Sequence, residues 1–494
     1  MNDATPMSHD PASCYRALEC RDARFDGRFF TAVVTTGIFC RPLCPAPTPK
    51  RANCRFYGSA AAAMAAGFRP CLRCRPEAAP RSPAWNGVST TVARALRLID
   101  EGALDEDGVE ALAARLGVGG RHLRRLFADH LGTGPKAVAQ ARRLLFAKRL
   151  VTETDQPLTR IAHAAGFASL RRFNDAFLAL YGRPPRALRR DEPPARAHGE
   201  GPLTLLLSFR PPYDWPRVMD FLATRAVPGL EMADRDGYRR AIRLDGIAGM
   251  LTVRPALERH RLAVTVDLPH IGPLRQVIER CRRLFDLDAD CTAIAADLGS
   301  DPLLAALVAK RPGLRVPGAW DLFELAVRAV LGQQVSVAAA RTFTARLMAR
   351  LGDPLDGGDG RGISHLFPTP ERLAEADLAA IGLTRRRAAT VRSLAAVFAS
   401  GAIDLDAAVG LDDAVARLCA LPGIGPWTAH YIAMRGLAHP DAFPSGDLGL
   451  MRAVAARERT VDAAGLDARA AAWRPWRAYA AMHLWTSQGT GEQE

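Results

Sequence analysis

Apolar positions change their period along this chain, and the changes divide it into blocks. Val109, Leu112, Leu116, Leu123, Leu126 and Phe127 recur at the three-to-four spacing of a helix face, with Gly117 where two helices must turn into each other. The arrangement returns with Ile161, Ala165, Phe167, Leu170, Phe173 and Phe177, now with Gly166 at the turn and Ser169 placed to cap the second helix. Two such pairs predict two helix-turn-helix motifs in an all-helical block. Further on, alternation over Tyr238–Leu244, Gly249–Val253 and Leu262–Val266 predicts strands, and helical spacing resumes after Gly272. Arg75–Trp85 and Arg189–Pro202 have no hydrophobic period and are rich in proline, as linkers are. They leave a cysteine block at 12–78, a basic helical block at 88–190 and a long block at 203–490. Apart from the two helix pairs, no repeat of fixed period is present.

The 494 residues are enough for about three to four domains. With 48% hydrophobic residues, each can bury a core of its own. A formal charge of +14 favours a polyanionic partner, because lysine and arginine neutralise phosphates and release their counterions. The N-terminal MNDATPMSHD has no apolar signal segment and no stretch approaches a membrane span. A reducing, cytoplasmic setting associated with the nucleoid is therefore expected, with no membrane partner.

Seven of the ten cysteines precede residue 75, and Cys40, Cys44, Cys71 and Cys74 form two close pairs. Such pairs build a tetrahedral thiolate site for one zinc ion. In a reducing setting disulfides are disfavoured. Spacing alone leaves a purely structural zinc site ahead of a reactive one. Cys281, Cys291 and Cys419 lack metal-ligand spacing.

The stretch TTGIF-Cys40-RPL-Cys44, the helix-like SAAAAMAAG stopped by Gly67, and FRP-Cys71-LR-Cys74-RPE resemble the N-terminal domain of the Ada family of methylphosphotriester repair and response proteins. The resemblance implies a small α/β zinc domain in which Cys40 accepts a methyl group from DNA while Cys44, Cys71 and Cys74 complete the metal site. Arg41 and Arg73 are then candidates for gripping the phosphate. The Pro-Cys-His-Arg site that serves O6-alkylguanine repair in that family is absent.

The middle block resembles the AraC/XylS-type DNA-binding domain, most closely in GFASLRRFNDAFLALYGRPP. Its recognition helices would offer Arg121, Arg124 and Arg125 in one motif and Arg171, Arg172 and Asn174 in the other to phosphates and base edges. Gly119 and Gly120 stand where a capping serine and a helix former are usual, so a weak helix start is expected there.

In the third block, Pro422-Gly423-Ile424-Gly425 reads as the tight turn of a helix-hairpin-helix, where Gly423 and Gly425 let backbone N–H groups approach a phosphate. With Asp447 following in FPSGD, it resembles the hairpin-Gly/Pro-Asp superfamily of base-excision glycosylases. RPPYDW, RPGLRVPGAWDLFELAVRAVLGQQVSV, LPGIGPWTA and WRPWRAYAAMHLW extend this to the AlkA family of alkylated-base glycosylases. The resemblance implies an α+β, TBP-like subdomain at 203–315 and an all-α helix-hairpin-helix domain at 316–490. It makes Asp447 the catalytic carboxylate, lines a base pocket with Trp427, Tyr431 and Trp485, and puts Gln334 where a leucine wedge is usual. Preceding the helix LGLMRAVAARE, Asp447 is also placed as a helix N-cap, a role compatible with the catalytic one that the resemblance implies. Trp427 occupies the position where lyase relatives carry a nucleophilic lysine, so hydrolysis without backbone cleavage is expected.

The expected whole is a multidomain protein of the adaptive response to DNA alkylation. It would act on alkylated double-stranded DNA and at promoter sites, with RNA polymerase as a further partner. A regulator that keeps a catalytically silent glycosylase block for DNA binding is the alternative.

Overall fold

In the computed structural model the described residues are 10–487, apart from 75, 77–78, 80–89, 101, 106, 155, 192–201, 356–359, 361, 404, 406–409 and 459–461. Most of both proline-rich seams lies outside them. The chain forms two compact units, Met1–Arg210 with Leu257–Glu279, and Pro211–Ala256 with Arg280–Glu494. The division therefore runs through the third sequence block. Side chains explain why residues 257–279 group with the first unit: Arg275 donates to Asp105 (2.6 Å) and to the Ile99 carbonyl (2.8 Å).

In the first unit, the cysteine block is a four-stranded sheet in the spatial order Cys54–Tyr57, Phe30–Val33, Ile38–Cys40, Arg69–Pro70. The first three strands are antiparallel and the last pairs in parallel, Ile38 opposite Arg69. Phe30, Ala32, Phe39, Ala63 and Phe68 fill one face. The short helix Ala60–Ala65 is started by Ser59, whose hydroxyl accepts from the Ala62 N–H. The same hydroxyl donates to the Leu131 carbonyl (2.9 Å), and Ala61 joins the apolar core of the first helix pair. Cysteine block and helix pair thus share buried surface.

The two helix pairs form where the apolar period places them. Val109–Arg115 and Gly120–Leu131 turn at Gly117 (φ +69°), and Leu158–Ala164 and Leu170–Tyr181 turn at Gly166 (φ +80°). Ser169 caps its helix by accepting from the Arg172 N–H, whereas Gly119 supplies no side-chain cap. The 19-residue helix Pro135–Glu153 lies between the pairs in sequence. Leu203–Ser208 pairs antiparallel with Arg261–Asp267, and Arg149 donates to the Leu206 carbonyl (2.5 Å).

The second unit contains the antiparallel strands Glu231–Asp234, Gly237–Leu244 and Ile247–Ala256. Its helical body packs around Phe323, Val330, Leu347, Val391, Leu394, Leu418, Ile424 and Ile432. Arg240, Glu231 and Glu324 are buried beside half-buried Arg328: Arg240 bonds Glu324 (2.7 Å), and Arg328 bonds both Glu324 (2.9 Å) and Glu231 (2.7 Å). Charges taken from water at this cost must be mutually paired, so the set fixes the strand Gly237–Leu244 against the helix Leu322–Leu331. The hairpin helices Leu411–Cys419 and Pro426–Arg435 meet at Gly423, whose φ of +84° suits glycine. Among the described residues no helix is long and apolar enough to cross a membrane.

Candidate functional site

The sheet of the cysteine block brings two distant pairs together. Cys40 ends a strand, and Cys44 follows in a turn closed by its N–H donating to the Arg41 carbonyl (3.1 Å). Cys71 leaves the neighbouring parallel strand with its N–H on the Phe39 carbonyl (2.9 Å). All four sulfurs lie within 4.8 Å of one another, and Cys44 and Cys71 are 4.0 Å apart. A tetrahedral zinc–thiolate centre asks for sulfurs about 3.8 Å apart, from Zn–S bonds of about 2.3 Å. The donor set and its spacing therefore fit one zinc ion. Hydrogen bonds from Cys40, then Cys44 and Cys74, push Cys71 well below the thiol range. Cys44, Cys71 and Cys74 are buried, whereas Cys40 is half-buried.

Arg41 departs from the expected phosphate grip. It is 6% exposed; its Nε donates to Asp26 Oδ1 (2.8 Å), its Nη2 to the other Asp26 oxygen, and its Nη1 to the Cys74 carbonyl (3.2 Å). Its backbone N–H donates to Cys74 Sγ (3.3 Å). A guanidinium bonded twice to a buried carboxylate braces the cysteine loop and is not offered to solvent. Arg73 is exposed beside Cys74. Proximity to a cysteine was legible in the sequence; the partner, Asp26, was not.

On the helix pairs, Arg121, Arg124, Arg171 and Arg172 are exposed and Asn174 is half-buried. Arg124 bonds Glu110 (2.6 Å) on the surface, a pairing weak enough to yield to a phosphate.

In the second unit, Asp447, Trp427, Tyr431 and Trp485 come together from three elements. Asp447 caps the helix Leu448–Ala455, its Oδ1 accepting from the Leu450 N–H (3.0 Å). The same oxygen accepts from Trp485 Nε1 (2.9 Å), and Oδ2 accepts from Trp427 Nε1 (3.1 Å). One carboxylate thus caps a helix and accepts from two indole N–H groups at once. Trp427 stacks on Tyr431, ring centroids 5.3 Å apart and planes 9° from parallel.

Sequence reasoning missed Arg435. One turn beyond Tyr431 on the same helix, its Nη1 bonds the Tyr431 hydroxyl (2.7 Å), while the Pro317 and Gly318 carbonyls (2.9 and 2.8 Å) hold the rest of the guanidinium. The four-residue spacing was the available signal. Burial works to raise the Tyr431 hydroxyl, but the guanidinium groups of Arg435 and Arg225 outweigh it and draw it down to about 8. Gln334 stands exposed between the helices Leu322–Leu331 and Val337–Leu351, with a left-handed backbone (φ +54°). At the hairpin, Pro422, Gly423, Gly425 and Pro426 are exposed and Ile424 is buried.

Four family descriptions match successive parts of the chain. They are the metal binding domain of Ada (13–77), a helix-turn-helix domain (112–191), the AlkA N-terminal domain (204–321) and the HhH-GPD superfamily base excision DNA repair protein (327–478). The DNA-3-methyladenine glycosylase 2 of Escherichia coli is 36% identical over 286 residues, 57% of this chain and 97% of its own length. The E. coli bifunctional transcriptional activator/DNA repair enzyme Ada is 38% identical over 164 residues, 33% of this chain and 44% of its own. In fold, 57% of this chain resembles the 3-methyladenine DNA-glycosylase of Archaeoglobus fulgidus (TM-score 0.52, 23% identity, 97% of that chain). The probable bifunctional transcriptional activator/DNA repair enzyme AlkA of Mycobacterium tuberculosis is 46% identical over 489 residues, 97% of each chain. With that match over 97% of each chain, the chain belongs to the family of this probable bifunctional transcriptional activator/DNA repair enzyme.

Proposed function

We propose that the chain answers DNA alkylation in two ways, by accepting methyl groups from phosphotriesters at Cys40 and by hydrolysing alkylated purines from double-stranded DNA at Asp447. The observation that carries the second is the Asp447 carboxylate, bonded by two indole N–H groups beside the stacked Trp427–Tyr431 pair. A purine methylated on a ring nitrogen is cationic, and electron-rich ring faces attract it once it is flipped from the duplex. The C–N glycosidic bond then breaks, its electrons leave with the base, and positive charge develops on the sugar. Asp447 stabilises that charge and orients the water whose oxygen bonds to the anomeric carbon as one of its protons passes to solvent. Trp427 offers no amine for a Schiff base, so the product is an intact abasic strand.

At the other centre, Cys40 Sγ attacks the methyl carbon of a phosphotriester. The S–C bond forms, the C–O bond breaks, and the phosphodiester leaves as its anion. Zinc, when bound by the four cysteines, keeps their thiols deprotonated at neutral pH. A four-thiolate site carries a net charge near −2, and conversion of one thiolate to a thioether reduces it by one, which weakens repulsion of DNA. Arg73 is the phosphate contact in this reading, Arg121, Arg124, Arg171, Arg172 and Asn174 address the promoter, and RNA polymerase is the partner recruited. Similarity to the M. tuberculosis protein, a probable bifunctional transcriptional activator/DNA repair enzyme, supports that last part.

The decisive experiment compares wild type with Asp447→Asn on methylated duplex DNA. The amide keeps the helix cap and loses the charge. Release of 3-methyladenine should fall on the order of a hundredfold or more while binding persists. Wild-type product should break only after alkali, with no adduct trapped by borohydride. Ordinary turnover by the variant would refute the role of Asp447, and binding without base release by wild type would leave a regulator only.

A further inference from the structure

The turn that carries Gln334 is not a free loop. Its neighbour Gln333 spends both amide hydrogens on the hairpin, Nε2 donating to the Gly423 carbonyl (2.9 Å) and to Thr428 Oγ1 (3.0 Å). From the other side, Arg387 Nη2 donates to the Gln333 carbonyl (2.5 Å), and its guanidinium lies over the Phe343 ring (5.7 Å). Thr428 is buried, and the Ile424 N–H closes the hairpin on the Leu421 carbonyl (3.1 Å). The Gly423–Ile424 peptide is thereby held at its oxygen and at its hydrogen. Gln334, one residue on, is exposed and holds a backbone conformation that side-chain-bearing residues seldom adopt.

We propose that Gln333 is a positioning residue that locks the Gln334 tip to the hairpin turn. The residue offered to the opened base stack and the backbone offered to the phosphate then keep one fixed spacing. The proposal rests on the base-excision reading and adds a rigid link between its two DNA contacts. A glutamine suits the place because a carboxamide supplies two donors to two acceptors; a glutamate of the same length would set negative charge against the Gly423 carbonyl. The link matters for a duplex, where filling the gap and gripping the backbone must happen together. It matters less for a single strand, whose bases are already unstacked.

The test uses the full chain with Gln333→Leu and, as a milder lesion, Thr428→Val, which leaves the Gly423 bond in place. Single-turnover release of 3-methyladenine is measured on duplex and on single-stranded DNA. A second readout needs no excision: fluorescence of 2-aminopurine placed beside an abasic-site analogue, which brightens as the base unstacks. For Gln333→Leu, the ratio of duplex to single-strand rates should fall about tenfold or more, since small misplacements at a reacting site are costly. The 2-aminopurine signal should fall with it, and Thr428→Val should lie between wild type and Gln333→Leu. Equal losses on both substrates, or unchanged 2-aminopurine brightening, would overturn the proposal. Should wild type release no base at all, the base-excision reading fails, and the fluorescence comparison still decides the role of Gln333.

Discussion

Asp286 carries a carboxyl group where the fold leaves little room for its charge. Burial pushes it up to about 7, against the attraction of Arg315 and the hydrogen bond from the Val316 N–H (3.1 Å). Tyr479 also donates to the same oxygen (2.9 Å). A folded-state value above the unfolded one means that folding takes up a proton between about pH 4 and pH 7. Stability from this group is therefore full in acid and falls as pH rises to 7. Asp286→Asn keeps one oxygen for both donors and removes the titration. Denaturant melts of the variant should lose that slope and gain on the order of a few kcal/mol at neutral pH. Equal slopes in both proteins would refute the assignment. Residue-scale chemistry of this kind was only partly legible in the sequence. Asp447 and the four cysteines stood in recognisable surroundings, but Asp26 lies 15 residues before Arg41, and Asp286 is 193 before Tyr479. Nothing local marks either partnership.

Elements were legible where their period was long. Both helix pairs, their glycine turns and the strand Gly237–Leu244 follow the apolar pattern, because each buries one face continuously. The edge strand Glu231–Asp234 did not announce itself; its pattern is broken by exposed Met232 and Asp234. The two-residue strand Arg69–Pro70 exists through its pairing with Ile38 and Phe39, not through propensity. The hairpin turn allows a prediction at this scale. A Cβ on Gly423 would lie 2.1 Å from Thr390 Oγ1 at φ +84°, whereas a Cβ on Gly425 meets nothing within 4 Å. Gly423→Ala should therefore destabilise the protein by about 1–3 kcal/mol. Gly425→Ala should melt like wild type yet bind duplex DNA more weakly, because its methyl group stands between the backbone and an approaching phosphate. Melting temperatures and duplex affinities of the two variants check the contrast; reversed profiles would exclude the turn as a phosphate seat.

At the scale of the whole molecule, the two candidate chemistries draw on different compact units. The thiolate centre lies wholly in one, and Asp447, Trp427, Tyr431, Trp485 and Gln334 lie wholly in the other. A chelator that strips zinc should unfold the cysteine block, since four bare thiols packed together cannot replace the metal bonds. It should leave 3-methyladenine release within about twofold of its starting rate, a margin of well under 1 kcal/mol. Cys71→Ala should act in the same way and bind no metal. Loss of base release together with zinc would show that the units depend on each other.

The separation of the centres also bears on inheritance. A chain lacking the Cys40 sulfur retains Asp447 and the aromatic residues beside it, and a chain lacking Asp447 retains all four clustered sulfurs. On this reading the polypeptide behaves as two complementation groups within one reading frame. Two defective alleles, each dead at one centre, together supply what one intact allele does, although no single molecule in that cell is whole.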